Sequence, residues 1–251
     1  MLKKLVAVLS LFTLVFSAAA ADAPVAPLNY KKLIVPVLKP VGSGDLANSV
    51  VHYVLRGEHV VYICAKDGEE IKFTVKHFGD TTRPTGIRYA LIDRRQNVLK
   101  EGVITYGKLE TITCKVEKGD TYAFVITSGP GAAPWYSVAT KNPFAALAAT
   151  GKEIYLFGQQ KIYVPGKILS NPEMQIRTTP KESYVYSIND GEKVSLTEPK
   201  LAKLPLPENE VVKIQFSRLP KTWCQNFLIS FPGGKTPFIF FGPNRAVDIV
   251  R

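Results

Sequence analysis

Hydrophobic and polar residues alternate along most of the chain after its first 50 residues. Residues 71–76 read IKFTVK, and the same alternation returns at 87–91, 112–116 and 122–126. Successive side chains of a β-strand point to opposite faces of its sheet, so each of these segments predicts a strand with one buried face.

Turn-forming residues separate the predicted strands at short intervals. The strongest hairpin signal is Asn189-Asp190-Gly191, because these residue types tolerate the positive φ angles of tight turns. Candidate strands of the second half are 154–157, 161–164, 174–178, 184–188, 211–216, 223–231, 237–241 and 246–250. Short strands with frequent turns predict an all-β sandwich or barrel.

The two halves of the chain share a weak internal repeat. Four short similarities occur in the same order in both halves, which predicts two tandem β-sandwich domains at 33–141 and 153–251. The Ala-rich segment 142–152 is predicted to link them, although Pro143 also suits the start of a short helix.

The first 21 residues have the three parts of a secretory signal peptide. A basic head at Lys3 and Lys4 precedes an apolar run and a small-residue end, with cleavage expected before Asp22. An uncleaved anchor is the alternative, but the apolar run is short for a membrane span. We predict a secreted or periplasmic protein with a flexible N-terminus at 22–32 and no transmembrane segment after cleavage.

The chain is basic, with 32 Lys and Arg against 21 Asp and Glu. After the predicted signal peptide, the longest basic runs are the doublets Lys31-Lys32 and Arg94-Arg95, and elsewhere basic and apolar residues alternate. Nucleic-acid binders gather basic residues into a patch or stripe, so the even spread argues against nucleic acid as a partner. A solvated sheet surface explains the pattern, and a mild attraction to anionic cell-surface polymers is compatible with it.

Three cysteines in an exported chain leave at least one without an intramolecular partner. Cys64 and Cys114 fall on predicted strands and are the candidate disulfide pair. Alternatively, Cys114 is a small buried apolar residue in register with its neighbours. The His and Cys spacings are not typical of a metal centre, so neither a metal ion nor a cofactor is predicted.

Catalytic motifs give no positive signal. A serine lies between glycines at Gly42-Ser43-Gly44. The sequence around it does not predict the strand–turn–helix unit of a nucleophile elbow, so we interpret this segment as a turn. Turn and surface positions explain the scattered carboxylates. We therefore predict that the protein is not an enzyme.

Segments of the first half resemble a known family of bacterial domains. The stretches that carry the resemblance are 70–75, 88–93, 97–99, 116–125 and 135–138. Together they resemble the prepeptidase C-terminal domain, a small jelly-roll β-sandwich appended to secreted hydrolases. The resemblance covers residues 52–140, with a divergent second copy at 155–250. It implies jelly-roll-like domains and secretion, and it transfers no catalytic residue; the Asp-rich calcium loop of some relatives is missing from the sequence.

Aromatic residues near predicted loops are the candidates for a binding site. Trp135 and Tyr136 follow a glycine- and proline-rich loop, and Trp223 follows a second loop in the other half. Exposed rings of this kind stack on sugar or protein ligands, whereas buried tryptophans would instead fill the two cores.

These observations favour a non-catalytic exported protein that serves as a binding or accessory module for an extracellular polysaccharide or protein. The alternative is a structural component of a cell-envelope assembly, which an apolar surface at 237–241 would favour. A secreted hydrolase of unrecognised type is the third hypothesis, and it requires two ionisable groups that converge in a cleft. The sequence indicates no particular oligomeric state.

Overall fold

The computed structural model describes residues 27–28, 30–44, 52–78, 86–129, 134–151, 153–157, 161–165, 173–178, 184–196, 202–205, 211–218, 226–231 and 238–248. The predicted signal peptide at 1–21 lies outside the described residues. No helix in these ranges is both long enough and apolar enough to cross a membrane.

Strands account for nearly all of the secondary structure. The described residues form one short 3-10 helix, Tyr30–Lys32, and twenty strands. In chain order the first ten strands are β1 (Leu38–Val41), β2 (Tyr53–Leu55), β3 (Glu58–Ala65), β4 (Glu70–Phe78), β5 (Ile87–Ile92), β6 (Val98–Ile104), β7 (Leu109–Lys115), β8 (Asp120–Thr127), β9 (Trp135–Thr140) and β10 (Ala145–Ala149). The other ten are β11 (Ile154–Phe157), β12 (Lys161–Pro165), β13 (Glu173–Thr178), β14 (Tyr184–Ile188), β15 (Val194–Leu196), β16 (Ala202–Pro205), β17 (Val211–Arg218), β18 (Asn226–Ser230), β19 (Phe238–Phe240) and β20 (Arg245–Asp248).

Two large sheets contain most of these strands. One sheet has ten strands in the order β15-β14-β17-β12-β19-β10-β3-β8-β5-β6, and the other has eight in the order β16-β13-β18-β11-β2-β9-β4-β7. A third, two-stranded sheet joins β1 to β20. The prediction of an all-β sandwich is confirmed.

The main core lies between the two large sheets. On β4, every second residue is buried, and the residues between them are exposed except for the half-buried Thr74, as the period-two pattern of its sequence predicts. Its Phe73 stacks on Phe124 of the ten-stranded sheet, with ring centroids 4.0 Å apart. Tyr53 of the eight-stranded sheet donates a hydrogen bond to the carbonyl oxygen of Phe240 and meets the ring of Phe241 edge-on at 4.9 Å. Aromatic contacts therefore join the two layers at several points along the core.

Both large sheets continue across the predicted boundary between the two halves. The segment 142–152, predicted as a linker, instead contains β10, whose five residues are all buried. This strand pairs with β3 from the first half and β19 from the second. In the other sheet, β2 pairs with β11. The prediction of a linker was therefore wrong. An Ala-rich strand that is buried on both faces has no alternating pattern, so the sequence did not reveal it. Strands of the two predicted domains share each large sheet.

The start of the described chain covers the part of the outer face of the ten-stranded sheet that is formed by β3, β5, β8 and β10. Alternate residues of β3 serve different layers: Val61 and Ile63 enter the main core, while Tyr62 enters a second apolar cluster on the opposite face. This outer cluster consists of Val35, Leu38, Val60, Tyr62, Cys64, Ala90, Ile92, Ala123, Val125 and Ala148. Of the predicted flexible N-terminus (22–32), Leu28 and Tyr30 pack against this cluster, while Pro27, Lys31 and Lys32 are exposed. We call residues 27–28 and 30–41 the N-terminal layer.

The predicted hairpin of the second half is present. Asn189 and Asp190 have φ angles of 48° and 61° and connect β14 to the short strand β15. Asn189 also accepts a hydrogen bond from the backbone of Lys213 through its side-chain oxygen, at 2.9 Å. The turn chemistry read from the sequence therefore fixes this strand pair.

Candidate functional site

Partly exposed aromatic side chains lie together on the outer face of the eight-stranded sheet. Trp135 begins β9, Tyr155 and Phe157 belong to β11, and Phe78 ends β4. Arg56 follows β2, which runs between β9 and β11. We call these five residues the aromatic strip.

Strand register aligns four of these residues in one row across the sheet. Phe78 and Trp135 are direct register partners. The pairing of Leu55 with Tyr136 and with Leu156 places Arg56 beside Trp135 on one side and beside Tyr155 on the other. Neighbouring strands are about 4.8 Å apart, so the row of three spacings is roughly 14 Å long.

The rings of the strip contact one another and a cation. The centroid of the Trp135 ring is 4.6 Å from that of Phe157 and 5.2 Å from that of Tyr155. The guanidinium carbon of Arg56 lies 5.3 Å from the Trp135 centroid. At this distance the positive charge is attracted to the ring face, which holds both side chains in place.

The strip is open to solvent on its outer side. Its members are partly exposed, and Phe78 retains 38% of its surface. The outward residues between the rings are the smaller Val54 and Ser137, so no large side chain on those two strands covers the row. An open row of rings with a cation among them can stack on a flat ligand such as a sugar ring.

Tyr136, predicted as a ligand contact, is fully buried. Because it follows Trp135 on one strand, it points to the opposite face of the sheet. Its hydroxyl oxygen is 2.9 Å from Nδ1 of His59, and it donates a hydrogen bond of 3.3 Å to the carbonyl oxygen of Gly57. Tyr136 is therefore a core residue and not a ligand contact.

Burial controls the titration of this buried pair. Desolvation lowers the pKa of His59 from 6.5 to about 3, so its imidazole is neutral at physiological pH. Desolvation, with a smaller contribution from the charge of Glu58, raises the pKa of Tyr136 well above its usual value. The pair therefore serves as a neutral hydrogen-bonded element of the core.

The other predicted site residues are Trp223, as a ligand contact, and Cys64 and Cys114, as a disulfide pair. Trp223 lies outside the described residues, so its role stays a prediction. Cys64 and Cys114 are both free thiols, and the predicted disulfide between them was wrong. Cys64 points into the outer cluster of the ten-stranded sheet, whereas Cys114 packs against the main core from the eight-stranded sheet. The two thiols therefore serve different layers.

A cavity lies at the other end of the first-half strands. It measures about 970 Å³ and is bordered by Cys64, Asn142 and the carboxylates of Asp67, Glu69 and Asp120. Glu69 accepts hydrogen bonds from the side chain of Asn142 and the backbone of Lys66, at 3.0 and 2.8 Å. Asp67 accepts one from the backbone of Gly119, and these bonds organise the turns that surround the cavity. In the described ranges, no three His, Cys, Asp or Glu side chains are grouped as metal ligands.

The described residues of the segment 237–241 do not form an apolar surface. Ile239, Phe240 and Phe241 are buried in the main core, because β19 runs between β10 and β12. The apolar character of this segment on both faces is therefore that of a central strand.

Sequence reasoning found Trp135 but missed its neighbours. Arg56, Tyr155 and Phe157 are distant in sequence and are brought together by the pairing of β2 with β9 and β11. One available signal was the sequence IYLF at 154–157, in which aromatic residues alternate with aliphatic ones. That alternation is typical of a strand with rings on one face and core residues on the other.

No protein-family model, curated protein or solved structure matches this chain. The resemblance to the prepeptidase C-terminal domain therefore stays a prediction.

Proposed function

We propose that this is an exported, non-catalytic β-sandwich protein that binds an extracellular polysaccharide through the aromatic strip. The observation that carries the proposal is the row of Tyr155, Arg56, Trp135 and Phe78 across four adjacent strands. Flat, partly exposed rings on a rigid sheet offer stacking surfaces that need little reorganisation when a ligand binds.

The shape of the strip favours a polymer over a single small molecule. A row of roughly 14 Å on an open sheet presents several ring faces in succession, as the spacing of adjacent strands dictates. A small ligand is usually enclosed on most sides by a concave pocket, whereas the described residues of the strip form a row on the outer face of a sheet. A carbohydrate chain can lie along such a surface and stack more than one sugar ring.

Trp135→Ala tests this proposal. Because Trp135 contacts Phe157, Tyr155 and Arg56, its removal eliminates the centre of the strip, and we expect a loss of about 2 kcal/mol in binding free energy. Binding is measured by co-sedimentation and affinity electrophoresis on a panel of soluble and insoluble polysaccharides.

Leu99→Ala is the matched control. Leu99 is an exposed apolar residue on β6, at the edge of the other sheet, so its loss leaves the strip intact. Thermal unfolding of both variants confirms that they are folded. Polysaccharide binding by Trp135→Ala equal to that of the wild type, or no binding by the wild type to any of the polymers, contradicts the proposal.

A further inference from the structure

Among the described residues, the cations around the aromatic strip form no ion pair with a carboxylate. Arg56 lies within the row, and Lys72 and Lys76 are exposed on the outward side of β4. Among the described residues, no carboxylate lies within 4.0 Å of any of these three. One described ion pair lies on this face of the sheet. It joins Arg177 to Glu153 at 2.7 Å, and Arg177 is on β13, outside the four strands of the row.

Two acidic residues of the same face leave the cations of the strip unpaired. Glu153 is held by Arg177, and Glu70 lies at the far end of β4 from Phe78. Glu153 lies two residues before Tyr155, but its charge is paired with Arg177, so the unpaired charges beside the rings in the described part of the chain are those of Arg56, Lys72 and Lys76. Such a field attracts anions and is complementary to a ligand with repeated negative charge.

The aromatic rings restrict the position of the positive charges. The Arg56 guanidinium is packed against Trp135, and the Lys76 ammonium lies 5.2 Å from the centroid of the Phe78 ring. The Arg56 Nε atom is buried and makes no hydrogen bond within the described part of the chain. Arg56 and Lys76 are thus each held beside a ring by cation–π attraction, which keeps their charges available for a ligand.

From this arrangement we infer that the ligand of the strip is an acidic polysaccharide, in which sugar rings stack on Trp135 while carboxylate or sulfate groups pair with Arg56 and Lys76. This inference rests on the proposed function and adds the chemical class of the ligand to it. The planar guanidinium of Arg56 suits a carboxylate or sulfate because it presents parallel N–H donors to two oxygens. Lys76 lies next to the row and supplies a point charge for an adjacent acidic group.

The inference is tested with three polymers of known charge: dextran, dextran sulfate and polygalacturonate. Dextran is neutral, and the other two carry sulfate and carboxylate groups, so the two acidic polymers separate the two sources of negative charge. We expect affinity electrophoresis to give tighter binding to at least one acidic polymer than to dextran. We expect Arg56→Gln to weaken binding to that acidic polymer about tenfold or more, the effect of losing a charge-assisted hydrogen bond.

Arg95→Gln is the matched control, because Arg95 is exposed in the turn between β5 and β6 and lies on the other sheet. Its affinity for the acidic polymer remains that of the wild type if the strip is the site. Equal weakening by Arg95→Gln and Arg56→Gln means that only net charge matters, and it overturns the inference. Equal wild-type affinity for neutral and acidic polymers also overturns it.

The failure of this inference is distinguishable from the failure of the proposed function. If the wild type binds dextran as tightly as the acidic polymers and Trp135→Ala abolishes that binding, the polysaccharide proposal stands and the charge preference is wrong. If Trp135→Ala binds every polymer as the wild type does, both fail. Thermal unfolding of Arg56→Gln establishes that any loss occurs in a folded protein.

Discussion

His59 and Tyr136 form a buried polar pair directly beneath the aromatic strip. Tyr136 and Trp135 are neighbours on β9 and point to opposite faces, so Tyr136 packs in the core while Trp135 lies on the outer face. The buried hydroxyl has His59 and the carbonyl oxygen of Gly57 as partners, which satisfies a group that would otherwise destabilise the core.

The lowered pKa of His59 predicts that acid destabilises the fold. Unfolded His59 binds a proton below about pH 6.5, whereas folded His59 stays neutral down to about pH 3. Between these values the unfolded state binds more protons, so the free energy of unfolding decreases as the pH falls. The loss between pH 7 and pH 5 is about 2 kcal/mol from this residue alone.

Urea unfolding at pH 7 and pH 5 measures this effect in the wild type, in His59→Gln and in the control His52→Gln. His52 is exposed, so we expect its variant to keep the full loss of stability, while His59→Gln shows a loss smaller by about 2 kcal/mol. An NMR titration of the wild type gives a second readout, in which the His59 ring does not titrate between pH 7 and pH 5. An equal loss of stability in all three proteins contradicts the assignment.

At the scale of elements, β10 joins the two halves of the chain. Leu147 pairs with Val61 of β3 on one side and with Ile239 of β19 on the other, so each side of this strand belongs to a different half of the sequence. Its alanines allow neighbouring layers to approach closely, and Ala148 lies in the outer cluster beneath the N-terminal layer.

A one-residue insertion tests whether residues 145–149 are a buried strand or a linker. Insertion of Gly between Leu147 and Ala148 shifts the following residues to the opposite face of the sheet. We expect the free energy of unfolding to decrease by about 3 kcal/mol or more, comparable to the loss of a buried Leu side chain. The control is a Gly inserted after Gly107, in an exposed turn where a Cβ would meet nothing. Equal stability of the two insertion variants in urea unfolding would indicate that 145–149 is a linker.

The alternation of hydrophobic and polar residues predicts strands that have one buried face. It does not reveal strands that are buried on both faces. Residues 71–76 alternate and form part of β4, and the Asn189-Asp190-Gly191 turn forms its hairpin. β10 was not recognised, because alanines carry no periodic signal and its partners are distant in sequence. The same limit applies to the aromatic strip: the sequence predicts that Trp135 begins a strand, but only long-range pairing places Arg56 beside it. Strand order and register depend on the whole core and not on local propensity.

At the scale of the whole molecule, the N-terminal layer makes the fold three layers deep. It covers the apolar outer cluster on β3, β5, β8 and β10 of the ten-stranded sheet, and β1 pairs with β20 from the end of the described chain. Two hydrogen bonds attach it to β3 and β8: the backbone of Leu38 donates to the hydroxyl of Thr121 at 3.0 Å, and the Cys64 thiol donates to the carbonyl oxygen of Leu38 at 3.6 Å. Without this layer, the cluster around Cys64 would face water.

The Cys64 thiol therefore reports on whether the N-terminal layer is in place. It is buried, and desolvation is the main reason that its pKa is raised to about 12, which suppresses the reactive thiolate. In a Cys114→Ser/Cys224→Ser background, we expect Cys64 to react with a thiol reagent at least about 100-fold more slowly than a free thiol, because both access and the thiolate fraction are low.

Deletion of the residues before Gly42 is expected to accelerate labelling to nearly the rate of the unfolded protein and to lower the melting temperature. Labelling of the protein that keeps Cys114 as its only cysteine is the control, since that residue is partly exposed and reacts with or without the N-terminal layer. Slow labelling of Cys64 in a truncated protein that still folds cooperatively would show that other parts of the chain, and not the N-terminal layer, protect this face of the sheet.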